Sequence, residues 1–246
     1  MTFMTDVHAL TTDIWEESSR VSFLTDMGEG RLDKERFCSY IIQDSLYLRD
    51  YARAYAYGLI ASETLADMQI FGAGIGAIND VENTTRLDYL ADFGLTDADV
   101  EKRAKLPECE AYTEFLLEVA SDAASNASSD ASSDAASADA SGSDATDAST
   151  SGVPEILAAV MPCAAGYYAV FQKVLERYPA VLDSYYGPLV ADYTSQKYGD
   201  ICRMWSEFTD RVCAGLPEER LARLRDIYRQ GSLHELYFWQ MASRGE

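Results

Sequence analysis

Basic side chains are scarce in this chain. Twenty Lys and Arg stand against 41 Asp and Glu, a formal charge of −21. No Lys/Arg cluster is present, so neither nucleic acid nor an anionic membrane surface is the expected partner, because grouped cations hold both. Histidine is scarcer still: His8 and His234 are the whole supply, and no two of the five cysteines have C-x-x-C spacing. A Cys/His zinc site is therefore not expected. The odd cysteine count, with Asp6, Asp13, Glu16 and Glu17 where a secretory leader is apolar, leads to the expectation of reduced thiols in a cytoplasm. Long apolar runs are missing too. The longest uncharged stretch lies between Glu155 and Lys173, contains Pro162, Cys163 and two tyrosines, and reads as a buried core helix, too short for a membrane span.

Strand signals are also absent. There is no Asn-Gly hairpin and no sustained alternation of apolar and polar residues. "FGAGIGAI", Phe71 to Ile78, is not a G-x-G-x-x-G phosphate loop: residue 77 is alanine and no strand precedes it. Its glycines read as a place of close helix approach or a kink.

One segment, Ser121 to Gly152, is nearly all Ser, Ala and Asp and holds six of the acidic residues. It has no aromatic residue and almost no aliphatic bulk, so a disordered surface loop is expected there. It is not read as a domain boundary, because the pieces on either side look like halves of one helical core.

Elsewhere the apolar residues recur at helical spacing, which makes the fold class all-α, a bundle with sites built between facing helices. Asp33 caps a long helix that carries Phe37, Tyr40, Ile41, Asp44, Tyr47, Leu48, Tyr51 and Tyr55 on one face. Ser62 is placed to open another that runs toward Phe93-Gly94. Thr96 caps a short helix, and Pro107 precedes "ECEAYTEFLLEVA". Pro154 starts a helix with Ile156, Val160, Cys163, Tyr167, Phe171 and Val174 in line. Two more run from about Thr194 to Ala214 and from Pro217 to Ala242, the last with Tyr228, Glu235, Phe238 and Met241 inward.

Three of these stripes each carry one reactive group: Asp44, Cys163 and Glu235. Each has a purely structural reading. Asp44 can bond a tyrosine hydroxyl, Cys163 can fill a core as a small hydrophobe, and Glu235 can lie beside His234 at the surface. Together they suggest chemistry. A carboxylate can take a thiol's proton, and a second carboxyl group, kept neutral by burial, can act as an acid. Sixteen tyrosines, among them Tyr47, Tyr51, Tyr112, Tyr167 and Tyr193, can stack a flat ring and hydrogen-bond its nitrogens. The combination points to a flat polar heterocycle as substrate.

"FLTDMGEGRLDKERFCSYIIQDSLYL", "EILAAVMPCAAGYYAVFQKVL" and "HELYFWQMA", in this order, resemble the TenA family of thiaminase II type aminopyrimidine hydrolases. The resemblance runs from about Asp13 to Arg244 around the Ser/Ala/Asp segment. It implies a heme-oxygenase-like all-α bundle, assembled as a homotetramer, that salvages thiamin by releasing a hydroxymethylpyrimidine, with no metal or organic cofactor. By the same resemblance Cys163 is the nucleophile, Asp44 binds the pyrimidine amino group and assists the thiol, and Glu235 is the acid. Tyr47, Tyr112, Tyr167 and Tyr193 line the pocket. Departures occur at Leu46, where the family often has an aromatic residue, and at Ala164, Ala165 and Gly166, where it often has bulk. The latter are expected to widen the pocket or loosen substrate choice. A non-catalytic pyrimidine-binding or regulatory protein is the alternative. A heme or di-metal oxidoreductase on the same bundle is a further one, against which stand the two histidines and the absence of E-x-x-H spacing.

Overall fold

A computed structural model of the chain describes residues 2–80, 82–134 and 151–245. Within them every regular element is helical. In chain order they are α1 (Phe3–Leu10), α2 (Thr12–Ser18), α3 (Ser22–Gly28), α4 (Lys34–Ala61), α5 (Leu65–Asp80), α6 (Glu82–Asp92) and α7 (Asp97–Val100). There follow α8 (Pro107–Asp134), α9 (Val153–Arg177), a 3-10 turn at Pro179–Asp183, α10 (Gly187–Thr194), α11 (Gln196–Cys213) and α12 (Glu218–Arg244).

Local chemistry sets most boundaries. The Asp33 carboxylate accepts from the backbone N–H groups of Glu35 and Arg36 and starts α4. Thr96 and Asp99 form a reciprocal capping box on α7. Pro154 stands in the first turn of α9, where its missing N–H costs nothing. Ser62, expected to open a helix, instead ends α4 and returns its hydroxyl to Gly58 O at 2.7 Å. Thr64 takes the opening role, accepting from Asp67 N at 3.1 Å. The stretch from there to Asp92 is carried by two helices, α5 and α6, where one was expected. Ser195 N-caps α11, so the helix expected from Thr194 begins at Gln196.

The first part of the Ser/Ala/Asp segment departs from the expected loop. Helix α8 continues through it to Asp134, and Ala123 and Ala124 are buried. Alanine is the best helix former, and a helix already nucleated by "ECEAYTEFLLEVA" extends into it at little cost. At the other end Ser151 is buried and donates to Ala61 O at 3.0 Å. Residues 135–150 of that segment lie outside the described residues.

Helix α9 is the axis of the bundle, touched by α4, α8, α11 and α12. It is long and apolar enough by composition to cross a membrane, yet most of it is buried by these neighbours. Helices before and after the Ser/Ala/Asp segment share this one core. Trp239, Tyr40, Tyr112, Tyr228, Phe37 and Phe171 are among its fully buried side chains. Each contributes about 2 kcal/mol through the apolar surface it removes from water.

Candidate active site

Helix α4 presents Tyr40, Asp44, Tyr47 and Tyr51 inward, one helical turn after another, and all four are buried. Facing them, α9 supplies Cys163 and Tyr167, α8 supplies Tyr112, α10 supplies Tyr193, and α12 supplies Glu235 and Trp239. Two local features let α12 come close. Pro162 interrupts the hydrogen-bond ladder of α9 just before Cys163. Gly231 packs on it so tightly that a Cβ there would stand 2.8 Å from Pro162 Cγ. One turn after Gly231, Glu235 reaches the thiol.

The Glu235 carboxyl group is the hub. Tyr112 Oη donates to Glu235 Oε1 at 2.7 Å, and the Cys163 thiol hydrogen-bonds the same carboxyl group. Burial pushes the Glu235 acid up to about 8; Asp44 adds to this, while the Tyr112 and Cys163 bonds oppose it. Asp44 is raised to about 7, again by burial first, with Arg86 and the Tyr167 hydroxyl pulling the other way. Tyr167 Oη donates to Asp44 Oδ1 at a long 3.4 Å and lies 3.4 Å from Tyr40 Oη. The cluster thus holds two acids whose protonated forms burial favours, beside a thiol.

The tyrosines form a ring of faces. Tyr47 stacks on Tyr51, with centroids 5.4 Å apart, and meets Tyr112 at 4.8 Å. Tyr167 meets Tyr193 and Trp239, each at 4.8 Å. Tyr47 Oη and Trp239 Nε1 are buried with no hydrogen-bond partner among the described residues. Tyr47 Oη neighbours the Tyr112 hydroxyl without the geometry of a bond. Buried donors of this kind suit a ligand with ring nitrogens. A cavity of about 300 Å³ reaches Asp44 and Tyr193 from between α4, α6, α10 and α11. A larger one, about 780 Å³, lies elsewhere, between the start of α4, Phe93, Arg103 and Arg244.

All seven residues singled out from sequence, Asp44, Tyr47, Tyr112, Cys163, Tyr167, Tyr193 and Glu235, fall in this one neighbourhood. Glu235 is buried, so its surface reading fails. The expected widening after Cys163 is not found at Gly166. A Cβ on Gly166 would lie 2.4 Å from the Trp15 ring, so α2 fills that space with an indole. Ala164 turns its carbonyl to the Tyr198 hydroxyl and the Cys202 thiol, at 3.4 Å each. Three residues of this neighbourhood were not singled out as site residues, although Tyr40 was placed on the inward stripe. Tyr40 and Trp239 lie in the quoted blocks and stack at 5.6 Å and 18°. Arg86 left as its only trace a single cation in an acidic helix.

The TENA/THI-4/PQQC family pattern matches residues 8–138 and 144–245. Among curated relatives, the aminopyrimidine aminohydrolase of Halalkalibacterium halodurans is 26% identical over 98% of this chain and 96% of its own. That of Bacillus subtilis is 26% identical over 100% and 92%. A TenA homologue from P. horikoshii OT3 superposes over 100% of both chains with a TM-score of 0.77 at 23% identity, which shows the same fold. With the family pattern spanning nearly its whole length, interrupted only at residues 139–143, this chain belongs to the TENA/THI-4/PQQC family.

Proposed function

We propose that the chain is a thiamin-salvage hydrolase. It converts 4-amino-5-aminomethyl-2-methylpyrimidine and water to 4-amino-5-hydroxymethyl-2-methylpyrimidine and ammonia, and it also accepts thiamin, with the thiazole as leaving group. The observation that supports this most is the bonded series Tyr112–Glu235–Cys163 facing Asp44 among tyrosine rings. A mere pyrimidine binder has no need of a thiol wired to a neutral acid. Relatives named aminopyrimidine aminohydrolase point the same way.

In this reading Asp44 accepts from the exocyclic amino group and orients the ring. Glu235 receives the thiol proton on one oxygen and delivers a proton from the other to a ring nitrogen as the Cys163 sulfur adds to a ring carbon. Addition ends the ring's aromaticity, and the C–N bond to the exocyclic methylene breaks, the amine leaving as ammonia with a proton from Glu235 that the attacking water then restores. Water then adds to the methylene carbon. Loss of the thiol restores the ring and returns the proton through Glu235. No metal or organic cofactor enters these steps, and the reading includes a cytoplasmic homo-oligomer. Cys163→Ala is expected to lower turnover by a factor of about 1,000 or more while leaving the circular dichroism and Tm near wild type. Unchanged turnover in that variant would sink the mechanism. Saturable binding of the pyrimidine with no product from the wild type would replace hydrolysis by a binding role.

A further inference from the structure

Asp44 makes no ion pair among the described residues, yet one guanidinium lines the same cavity. Arg86, on α6, donates from Nη1 to Ser45 Oγ at 2.9 Å and to Asp97 Oδ1 at 2.9 Å, and its side chain is only 12% exposed. Ser45 follows Asp44 in sequence and returns its own hydroxyl to Ile41 O at 2.6 Å. The tether therefore joins α6 and α7 to the very turn of α4 that carries Asp44. Arg86 and Asp44 also line the same 300 Å³ cavity.

The groups that face Asp44 come from every side. Tyr40 shares its helix; Tyr167 approaches from α9, Glu235 from α12 and Cys109 from α8. Across the cavity lie Asp192 and Tyr193 of α10 and Lys197 and Tyr198 of α11. Lys197 is exposed to water, so Arg86 is the partly desolvated cation of this set. A substrate amino group donates hydrogen bonds, and only an ionised carboxylate accepts with both oxygens. Burial alone would leave Asp44 protonated.

We propose that Arg86 is a positioning residue of the reaction: tied to Ser45 and Asp97 on the cavity it shares with Asp44, its guanidinium favours the ionised form of the Asp44 carboxylate, the form that best accepts from the substrate's amino group. This rests on the function proposed above. It brings in α6, a helix that carries none of the seven residues of the site.

The test is the pH profile of kcat/KM for the aminomethylpyrimidine in wild type, Arg86→Gln, Arg86→Lys and Ser45→Ala. Loss of the charge is expected to move the acidic limb upward by about one pH unit or more. The loss below the limb appears in KM, and kcat above it stays within about threefold of wild type. Lysine restores most of the limb; Ser45→Ala, which cuts the tether but keeps the charge, shifts it less and in the same direction. A limb unmoved in Arg86→Gln, or activity lowered evenly at all pH values in both Arg86 variants, overturns the proposal. A measurement that needs no turnover separates it from the substrate assignment: the carboxyl ¹³C titration of Asp44, its resonance assigned through Asp44→Asn. A raised midpoint in Arg86→Gln without any pyrimidine product in wild type upholds Arg86's control of Asp44 and rejects the substrate. An unmoved midpoint rejects Arg86's role whatever the activity.

Discussion

Helix α4 buries two aspartates six residues apart, and they live differently. Asp50, 2% exposed, is ion-paired with both Lys105 and Arg53, and Lys105 also bonds the Thr113 hydroxyl. Asp44, 6% exposed, has no ion pair among the described residues; a long bond from Tyr167 and the field of Arg86 are its only support. One carboxylate has been neutralised by its neighbours and locks α4 to the loop before α8. The other has been left under-compensated at the edge of a cavity. A buried charge without a counter-ion costs several kcal/mol, so its persistence is informative in a way that Asp50's is not.

Substitution should separate the two. Asp44→Asn is expected to cut turnover about 100-fold while raising Tm at pH 8, because it deletes a charge the fold would rather not bury. Asp50→Ala is expected to do the reverse: about 2 kcal/mol of stability lost in urea unfolding, since Lys105 is left half-buried and unpaired, with kcat/KM nearly kept. If Asp50→Ala also abolished catalysis, the distinction between a paired and a working aspartate would collapse.

A finer contrast lies in pH. Turnover should follow a bell with an acidic limb near 7, from Asp44, and a basic limb near 8, from Glu235. Glu235→Gln should have no basic limb in whatever activity remains. Stability runs with the same groups. Both acids are raised above their unfolded values of 3.8 and 4.5, so their contribution is fully present below those values and is lost progressively as pH climbs from there through about 7 and 8. Tm of the wild type should fall over that window, and less steeply in Asp44→Asn and Glu235→Gln, as scanning calorimetry from pH 5 to 9 would show. The smallest effect is expected for Tyr112→Phe, which removes the 2.7 Å bond to Glu235: a loss of about tenfold in kcat and a basic limb shifted upward, because that bond holds the acid down.

Much of this was legible before any coordinates. The Asp33 cap, the Thr96 box and Pro154 mark helix starts through interactions within three or four residues, and they appear where the sequence puts them. So do the stripes, since 3.6-residue periodicity places Asp44 between Tyr40 and Tyr47, and Cys163 a turn before Tyr167. The misses are of another kind. Ser62 and Thr64 are both good caps, and only the end of α4 decides between them. Alanine in the Ser/Ala/Asp segment is helical when a helix precedes it and loop-like when composition is weighed alone. Gly166 reads as empty space until Trp15 arrives from 151 residues earlier in the chain.

By itself the sequence determined an all-α chain and three helices that each turn one reactive group inward, because capping, propensity and periodicity act between near neighbours. Only the tertiary structure decided that Glu235 bonds both Tyr112 and Cys163, that Asp50 is paired while Asp44 is not, and that Arg86 oversees the latter. The Arg86–Ser45 and Tyr112–Glu235 contacts join residues 41 and 123 positions apart, and a carboxylate's charge state depends on what surrounds it in space, which no local pattern encodes.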